Sequence, residues 1–159
     1  MITVSAVMLY AQEKNEQPGE QPQKKKALIA YEETRFKSSL VKEMTALLEK
    51  ASVAVTVVKH SDNGLDKQDP SGYDAVFITN SGVNSKVRPW VMAWLKKHAQ
   101  QADKILLHTT QRSTWEVKAP VDGVTSASAN KKVKEFAAEY VRLLKAKYTS
   151  DKPAADDDE

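Results

Sequence analysis

The chain has 159 residues, of which 41% are hydrophobic and 28% charged, as expected for one globular domain with polar ends. It contains no cysteine, which excludes disulfides, thiolate metal sites and a cysteine nucleophile, and no apolar run approaches the roughly 20 residues of a membrane-spanning helix. The formal charge is +3, but residues 151–159 hold five acids and one lysine, a net of −4, which leaves +7 on residues 1–150.

Both ends of the chain are expected to lie outside the folded domain. Residues 1–11 contain an apolar run of the length of a signal-peptide core, which predicts a signal-peptide remnant and an exported or periplasmic protein. An unstructured apolar leader on a cytoplasmic protein is the alternative. We expect a flexible linker over residues 12–25, the domain over 26–148 and a disordered acidic tail over 149–159.

Five short apolar or β-branched runs predict five strands: Ala27–Tyr31, Val53–Val58, Ala75–Thr79, Lys104–Leu107 and Val121–Thr125. The connection over residues 60–72 is rich in turn-forming pairs and has room for at most one helical turn.

Three amphipathic segments predict helices. Ser38 and Ser39 are candidate caps for the first, Pro89 begins the second, and Asn130 is a candidate cap for the third. The inner faces are expected to hold Leu40, Val41, Met44, Leu47 and Leu48 in the first helix, Val91, Trp94, Leu95 and His98 in the second, and Val133, Phe136, Ala137, Tyr140, Val141 and Leu144 in the third.

This alternation of strands and helices predicts an α/β fold, a three-layer sandwich around a five-stranded parallel sheet in the order 2-1-3-4-5. Three helices leave one face of that sheet thinly covered, and buried parallel strands need cover on both faces. We expect residues 109–120, with Trp115 and Val117, to fold over that face in a monomer. A homodimer is the alternative.

Two stretches resemble the flavodoxin family, a likeness that extends over roughly residues 25–147. VDGVTSASANKKVKEFAAEYVRLL is similar to the family's last strand and helix, and NSGVNSKVRPWVMAWL to the loop and helix after its third strand. The resemblance implies a flavodoxin-like domain that binds flavin mononucleotide (FMN) and transfers electrons to or from a redox partner.

The residues that the resemblance assigns to the phosphate follow the first strand, where the family has a T/S-x-T-G-x-T-like run. They are Thr34, Arg35, Lys37, Ser38 and Ser39, with Arg35 at the glycine position and two carboxylates, Glu32 and Glu33, beside the expected dianion. The residues it assigns to the flavin ring are Asn80, Ser81, Gly82, Thr109, Thr110 and Trp115.

A second class of function stays open because the phosphate loop departs from the family's pattern. The alternative is a flavin-free flavodoxin-like domain that acts as an anion- or protein-binding module in the cell envelope. The basic body carries no base-reading motif, so no nucleic-acid partner is expected, and the three histidines lack metal-ligand spacing. His108 is expected to be structural, and Trp90 and Trp94 to belong to the core.

Overall fold

The computed structural model describes residues 23–82, 84, 86–112 and 116–149. The apolar leader, most of the linker, Trp115 and the acidic tail from residue 150 onwards lie outside these residues, so the expectations about them stay predictions. Within the described part of the chain, no helix is long and apolar enough to cross a membrane.

The sheet has the predicted architecture, with five parallel strands in the order β2-β1-β3-β4-β5. The strands are β1 (Lys26–Tyr31), β2 (Ala54–Lys59), β3 (Ala75–Ser81), β4 (Ile105–Thr110) and β5 (Asp122–Ser126). The predicted ends of β3 and β4 were too early. Asn80 pairs in register with Thr109 and Ser81 with Thr110, so these polar residues continue the strands instead of forming loops.

Three helices flank the sheet: α1 (Arg35–Lys50), α2 (Pro89–Lys97) and α3 (Val133–Ala146). Pro89 begins α2 as predicted, since its fixed φ suits the first helical position. Short 3₁₀ turns cover His60–Asp62, Pro70–Gly72, Ala99–Lys104, Asn130–Lys132 and Lys147–Thr149. The connection between β2 and β3 therefore holds two such turns, where at most one was expected.

The predicted caps of α1 and α3 are wrong. The N-cap of α1 is Thr34, whose hydroxyl oxygen accepts a hydrogen bond from the backbone N–H of Lys37 at 3.2 Å. The helix therefore starts early enough to include Ser38 and Ser39 in its first turns. Asn130 lies in the 3₁₀ turn that precedes α3, and its side chain does not cap that helix.

Two apolar cores lie on opposite faces of the sheet. On the first, α1 and α3 pack against each other and bury Ala27, Ile29, Ala75, Phe77 and Leu106. On the second, Val91, Trp94 and Leu95 of α2 cover the alternate strand residues Leu28, Ala30, Val76, Ile78, Ile105 and Leu107. The two-residue period of the strands thus divides the apolar residues between the faces.

The second face is covered by connections as well as by α2. Val117 and Ala119 of the β4–β5 connection pack against it, as expected. Leu65, from the connection between β2 and β3, is also buried there, with 2% of its surface exposed, and this contribution was not predicted. Trp94 is buried as predicted, but Trp90 is 42% exposed, so its assignment to the core is wrong.

Candidate functional site

The candidate site lies where β1 and β3 end side by side. Because neighbouring parallel strands bring their carboxyl ends to the same edge, the residues that follow β1 meet the last residues of β3. Glu32 comes directly after β1, and its backbone N–H donates to the carbonyl oxygen of Thr79 in β3 at 3.4 Å. The start of α1 and the segment before α2 complete this edge.

The side chain of Glu32 is the centre of this site. One carboxylate oxygen, Oε1, accepts hydrogen bonds from Nη2 and Nε of Arg88 at 2.6 and 3.1 Å. The other, Oε2, accepts from Nζ of Lys37 at 2.9 Å and from the backbone N–H of Ser81 at 3.0 Å. We call these donors, from Lys37, Ser81 and Arg88, the cradle.

Lys37 is the most deeply buried member of the cradle, with 0% of its side chain exposed. Its ammonium also donates a hydrogen bond to the hydroxyl of Ser81, so both of its described partners lie within the site. Burial lowers the pKa of Lys37, whereas the bond to Glu32 acts in the opposite direction. A buried cation of this kind depends on its carboxylate partner for compensation.

The carboxylate of Glu32 is held in its ionised form. Partial burial would by itself raise the pKa of Glu32, but the hydrogen bonds from Ser81 and Lys37, the charge of Lys37 and the bond from Arg88 outweigh it and lower that pKa to about 2. At neutral pH the cradle is therefore filled by one negative charge that belongs to the chain itself.

The phosphate residues implied by the resemblance are only partly brought together. Thr34 and Lys37 lie at the start of α1, but Thr34 uses its hydroxyl as the helix cap and Lys37 binds Glu32. Arg35 is exposed, and the hydroxyl of Ser39 donates to the carbonyl oxygen of Arg35 at 3.0 Å within the helix. Ser38 is partly buried, and its backbone N–H donates to the carbonyl oxygen of Thr34.

The residues assigned to a flavin ring lie mostly inside the sheet. Asn80, Thr109 and Thr110 are buried, and the amide of Asn80 donates to the hydroxyl of Thr109 at 3.3 Å. The carbonyl oxygen of the Asn80 side chain accepts from the backbone N–H of Arg88 at 3.0 Å, which positions Arg88 for the cradle. Gly82 follows β3, and a Cβ there would lie 3.1 Å from a methyl of Thr109. Contact of any of these residues with a flavin stays a prediction.

Trp90 and His60 form a second feature of the same edge, which the sequence analysis missed. The indole N–H of Trp90 donates to Nδ1 of His60 at 3.0 Å, and Nε2 of His60 lies 2.9 Å from the carbonyl oxygen of Thr79. Nε2 therefore carries the proton, and burial lowers the pKa of His60. The Arg88 guanidinium lies 5.6 Å from the Trp90 ring centre, so the exposed indole is held from two sides.

His108 has a structural environment. Its two ring nitrogens lie 2.8 Å from the hydroxyl of Thr79 and 2.9 Å from that of Ser126, and its ring stacks on Phe77 with 6.0 Å between centres. Burial, together with the nearby charge of Lys37, lowers the pKa of His108 to about 3. The imidazole is therefore neutral near pH 7.

The cradle does not fit an FMN phosphate. The loop between β1 and α1 has no glycine, so its backbone cannot approach a phosphate as closely as the family's pattern requires. Lys37, which the resemblance assigns to the phosphate, instead binds the Glu32 carboxylate, a like charge for any dianion. Trp115, the predicted stacking residue, lies outside the described residues.

This architecture defines a flavodoxin-like α/β fold, and comparison with solved structures supports it. A flavodoxin from the domain Archaea matches with a TM-score of 0.55 and 14% identity over 77% of this chain and 98% of that one. Flavodoxin 2 from Bacillus cereus matches with a TM-score of 0.54 and 11% identity, over 77% of this chain and 99% of that one. Rubredoxin oxygen:oxidoreductase from Desulfovibrio gigas matches with a TM-score of 0.53 and 13% identity, over 82% of this chain and 38% of that one.

At these identities the likeness shows the fold alone. No family model and no curated protein matches the chain. The sequence does contain a signal for the cradle: Glu32 and Arg88 have opposite charges and follow β1 and β3, which are neighbours in the predicted order. The charge pattern by itself marks Glu32 as an obstacle to phosphate and does not identify Arg88 as its partner.

Proposed function

We propose that this chain is a flavin-free flavodoxin-like domain that acts as a binding module for an acidic protein partner. The observation that carries the proposal is the ionised carboxylate of Glu32, which is bound by Lys37, Ser81 and Arg88 at the end of β1. One of these donors, Lys37, is a residue that the resemblance assigns to the phosphate, so the carboxylate competes with a phosphate for it.

The energetics favour an empty flavin site. Two like unit charges 4 Å apart repel by about 4 kcal/mol at an effective dielectric constant of 20, and a phosphate dianion carries two. If Glu32 moved away instead, it would give up hydrogen bonds to charged donors, each worth about 1.5–3 kcal/mol. Either route subtracts from the binding energy that the phosphate would supply.

An acidic partner is the choice that the charge distribution supports. Residues 23–149 hold 22 lysines and arginines against 13 acids, a net charge of +9. At the edge that carries the cradle, Arg35 and Arg112 are exposed, and Trp90 presents a half-exposed indole beside Arg88. Tryptophan and arginine are the residues that most often dominate protein–protein binding energy. From the apolar run in residues 1–11, we further propose that the protein is exported.

The first test is a titration of the purified protein with FMN, followed by quenching of flavin fluorescence. We expect a protein without visible flavin absorbance and no quenching at micromolar FMN. Binding at micromolar or lower concentration would overturn the flavin-free proposal. It would favour the second candidate, an FMN-binding electron carrier, which the flavodoxin-like fold suggests.

The second test addresses the partner with poly-L-glutamate as a probe, observed through tryptophan fluorescence. We expect poly-L-glutamate to change the tryptophan fluorescence of the wild type. This change is expected to weaken with added NaCl, since the Debye length falls to about 10 Å at 0.1 M salt. In a Trp115→Phe background, Trp90→Phe is expected to remove most of that change in fluorescence, because the remaining tryptophan, Trp94, is buried. Poly-L-lysine is the control for charge. An equal response to both polymers would contradict the proposal.

A further inference from the structure

The cradle is built like a binding site for an oxyanion, but its occupant is part of the chain. Its three groups converge on one carboxylate, and one of them is a lysine whose side chain is fully buried. Lysine, arginine and a free backbone N–H are also the donors that bind sulfate and phosphate in proteins.

We propose that Glu32 is a built-in substitute for an oxyanion ligand, and that the cradle becomes a site for free sulfate or phosphate when the Glu32 carboxylate is removed. The inference shares with the proposed function the observation that Glu32 fills the cradle. It adds that the donors are arranged for a tetrahedral oxyanion as well as for this carboxylate.

The charges at the cradle favour an oxyanion. Lys37 and Arg88 bring two cations to the cradle, and Lys37 has no exposed surface through which water could solvate it. Substitution of Glu32 by alanine leaves both cations without their carboxylate, which makes the folded state costly. An oxyanion from solution relieves that cost, because it restores the missing negative charge and the acceptors.

Space and access agree with this. Glu32→Ala removes the carboxylate and one methylene, which opens space beside Lys37 and Arg88. Arg88 is 29% exposed and Glu32 is 15% exposed, so the cradle opens to solvent on the Arg88 side. A small inorganic anion can therefore reach Lys37 without unfolding of the β1–α1 loop.

The experiment compares E32A, wild type and E33A by thermal denaturation in chloride, sulfate and phosphate at matched ionic strength. Glu33 is the matched control, since it is the adjacent carboxylate, 60% exposed, and pairs with Lys59 at 2.8 Å outside the cradle. Sulfate and phosphate stabilise most proteins by exclusion from the surface, and wild type and E33A report this general effect. We expect sulfate and phosphate to raise the melting temperature of E32A by more than they raise that of wild type or E33A.

Calorimetric titration with inorganic phosphate gives the affinity. We expect E32A to bind at least tenfold more tightly than wild type, and E32A/K37M to lose that gain. Glu32→Gln keeps the cradle filled without the charge, so it is expected to lose stability and to show little rescue. Binding of sulfate and phosphate alike would identify a general oxyanion site, and binding of phosphate alone a selective one.

An E32A protein whose stability responds to sulfate and phosphate no more than wild type would overturn the inference. If E32A is unfolded in chloride, the readout is the return of its folded circular-dichroism spectrum in sulfate or phosphate. Failure of that spectrum to return would also overturn the inference. The two proposals fail separately: FMN binding by wild type would overturn only the proposed function, and lack of rescue in a flavin-free protein only this inference.

Discussion

Arg88 and Glu32 lie 56 positions apart in the chain, yet two nitrogens of the Arg88 guanidinium donate to the same Glu32 oxygen, at 2.6 and 3.1 Å. The pair connects the end of β1 to the segment that enters α2. It therefore fixes the start of α2 relative to the sheet, and Arg88 supplies one of the three donor groups of the cradle.

Arg88→Met is expected to destabilise the protein by about 1–3 kcal/mol, because it leaves a partly buried carboxylate with less compensation. Lys59→Met is the matched control. Lys59 pairs with Glu33, but both side chains are substantially exposed, so its loss is expected to cost about 0–1 kcal/mol. Urea denaturation of the two variants measures the difference, and equal losses would contradict the importance assigned to the cradle.

The lowered pKa of Glu32 predicts that the protein loses folding stability in acid. Its folded value of about 2 lies below the ordinary 4.5, so the unfolded chain takes up the proton first as the pH falls. The stabilisation is thus present above pH 4.5 and is lost between pH 4.5 and 2, by about 3 kcal/mol at 1.36 kcal/mol per pKa unit.

Denaturation of wild type and E32Q from pH 6 to pH 2 measures this contribution as a difference. We expect the two curves to converge toward the acid end, since protonation makes Glu32 resemble glutamine. Parallel curves would show that the Glu32 carboxylate is not held by its ion pairs.

The sequence predicts the framework of this fold well, because strand and helix periodicities are local signals. The positions of the strands and the inner faces of α2 and α3 follow from them. The order of the strands follows from the alternation of strands and helices together with the right-handed crossovers of doubly wound sheets. The ends of β3 and β4 do not, since Asn80 and Thr109 are polar residues whose partners are each other across two strands. The cradle is missed for a different reason. The predicted strand order brings Glu32 and Arg88 to one edge of the sheet, but it does not say which of the cations near that edge the carboxylate binds.

His108 predicts a second, separable pH effect. Its folded pKa of about 3 lies below the ordinary 6.5, so the unfolded state binds an extra proton between these values, and stability falls as the pH decreases from 6.5. The slope for one proton is about 1.4 kcal/mol per pH unit. NMR of the imidazole is expected to show a neutral ring at pH 5. A His108 signal that titrates near pH 6.5 would contradict this.

Leu65 tests how much of the second face depends on the connection between β2 and β3. It is 2% exposed and packs in the core that α2 covers, so Leu65→Ala is expected to cost about 2–5 kcal/mol through lost transfer energy and a cavity. Leu47→Ala is the same chemical change on α1. The prediction that Leu47 lies on the inner face of α1 is wrong, since its side chain is 36% exposed, and a surface substitution of this kind is expected to cost roughly 0.5 kcal/mol. Chemical denaturation of both variants gives the comparison. If Leu65→Ala cost as little stability as Leu47→Ala, the β2–β3 connection would not be needed to cover the second face of the sheet. Another part of the protein, or a second subunit, would then have to cover it.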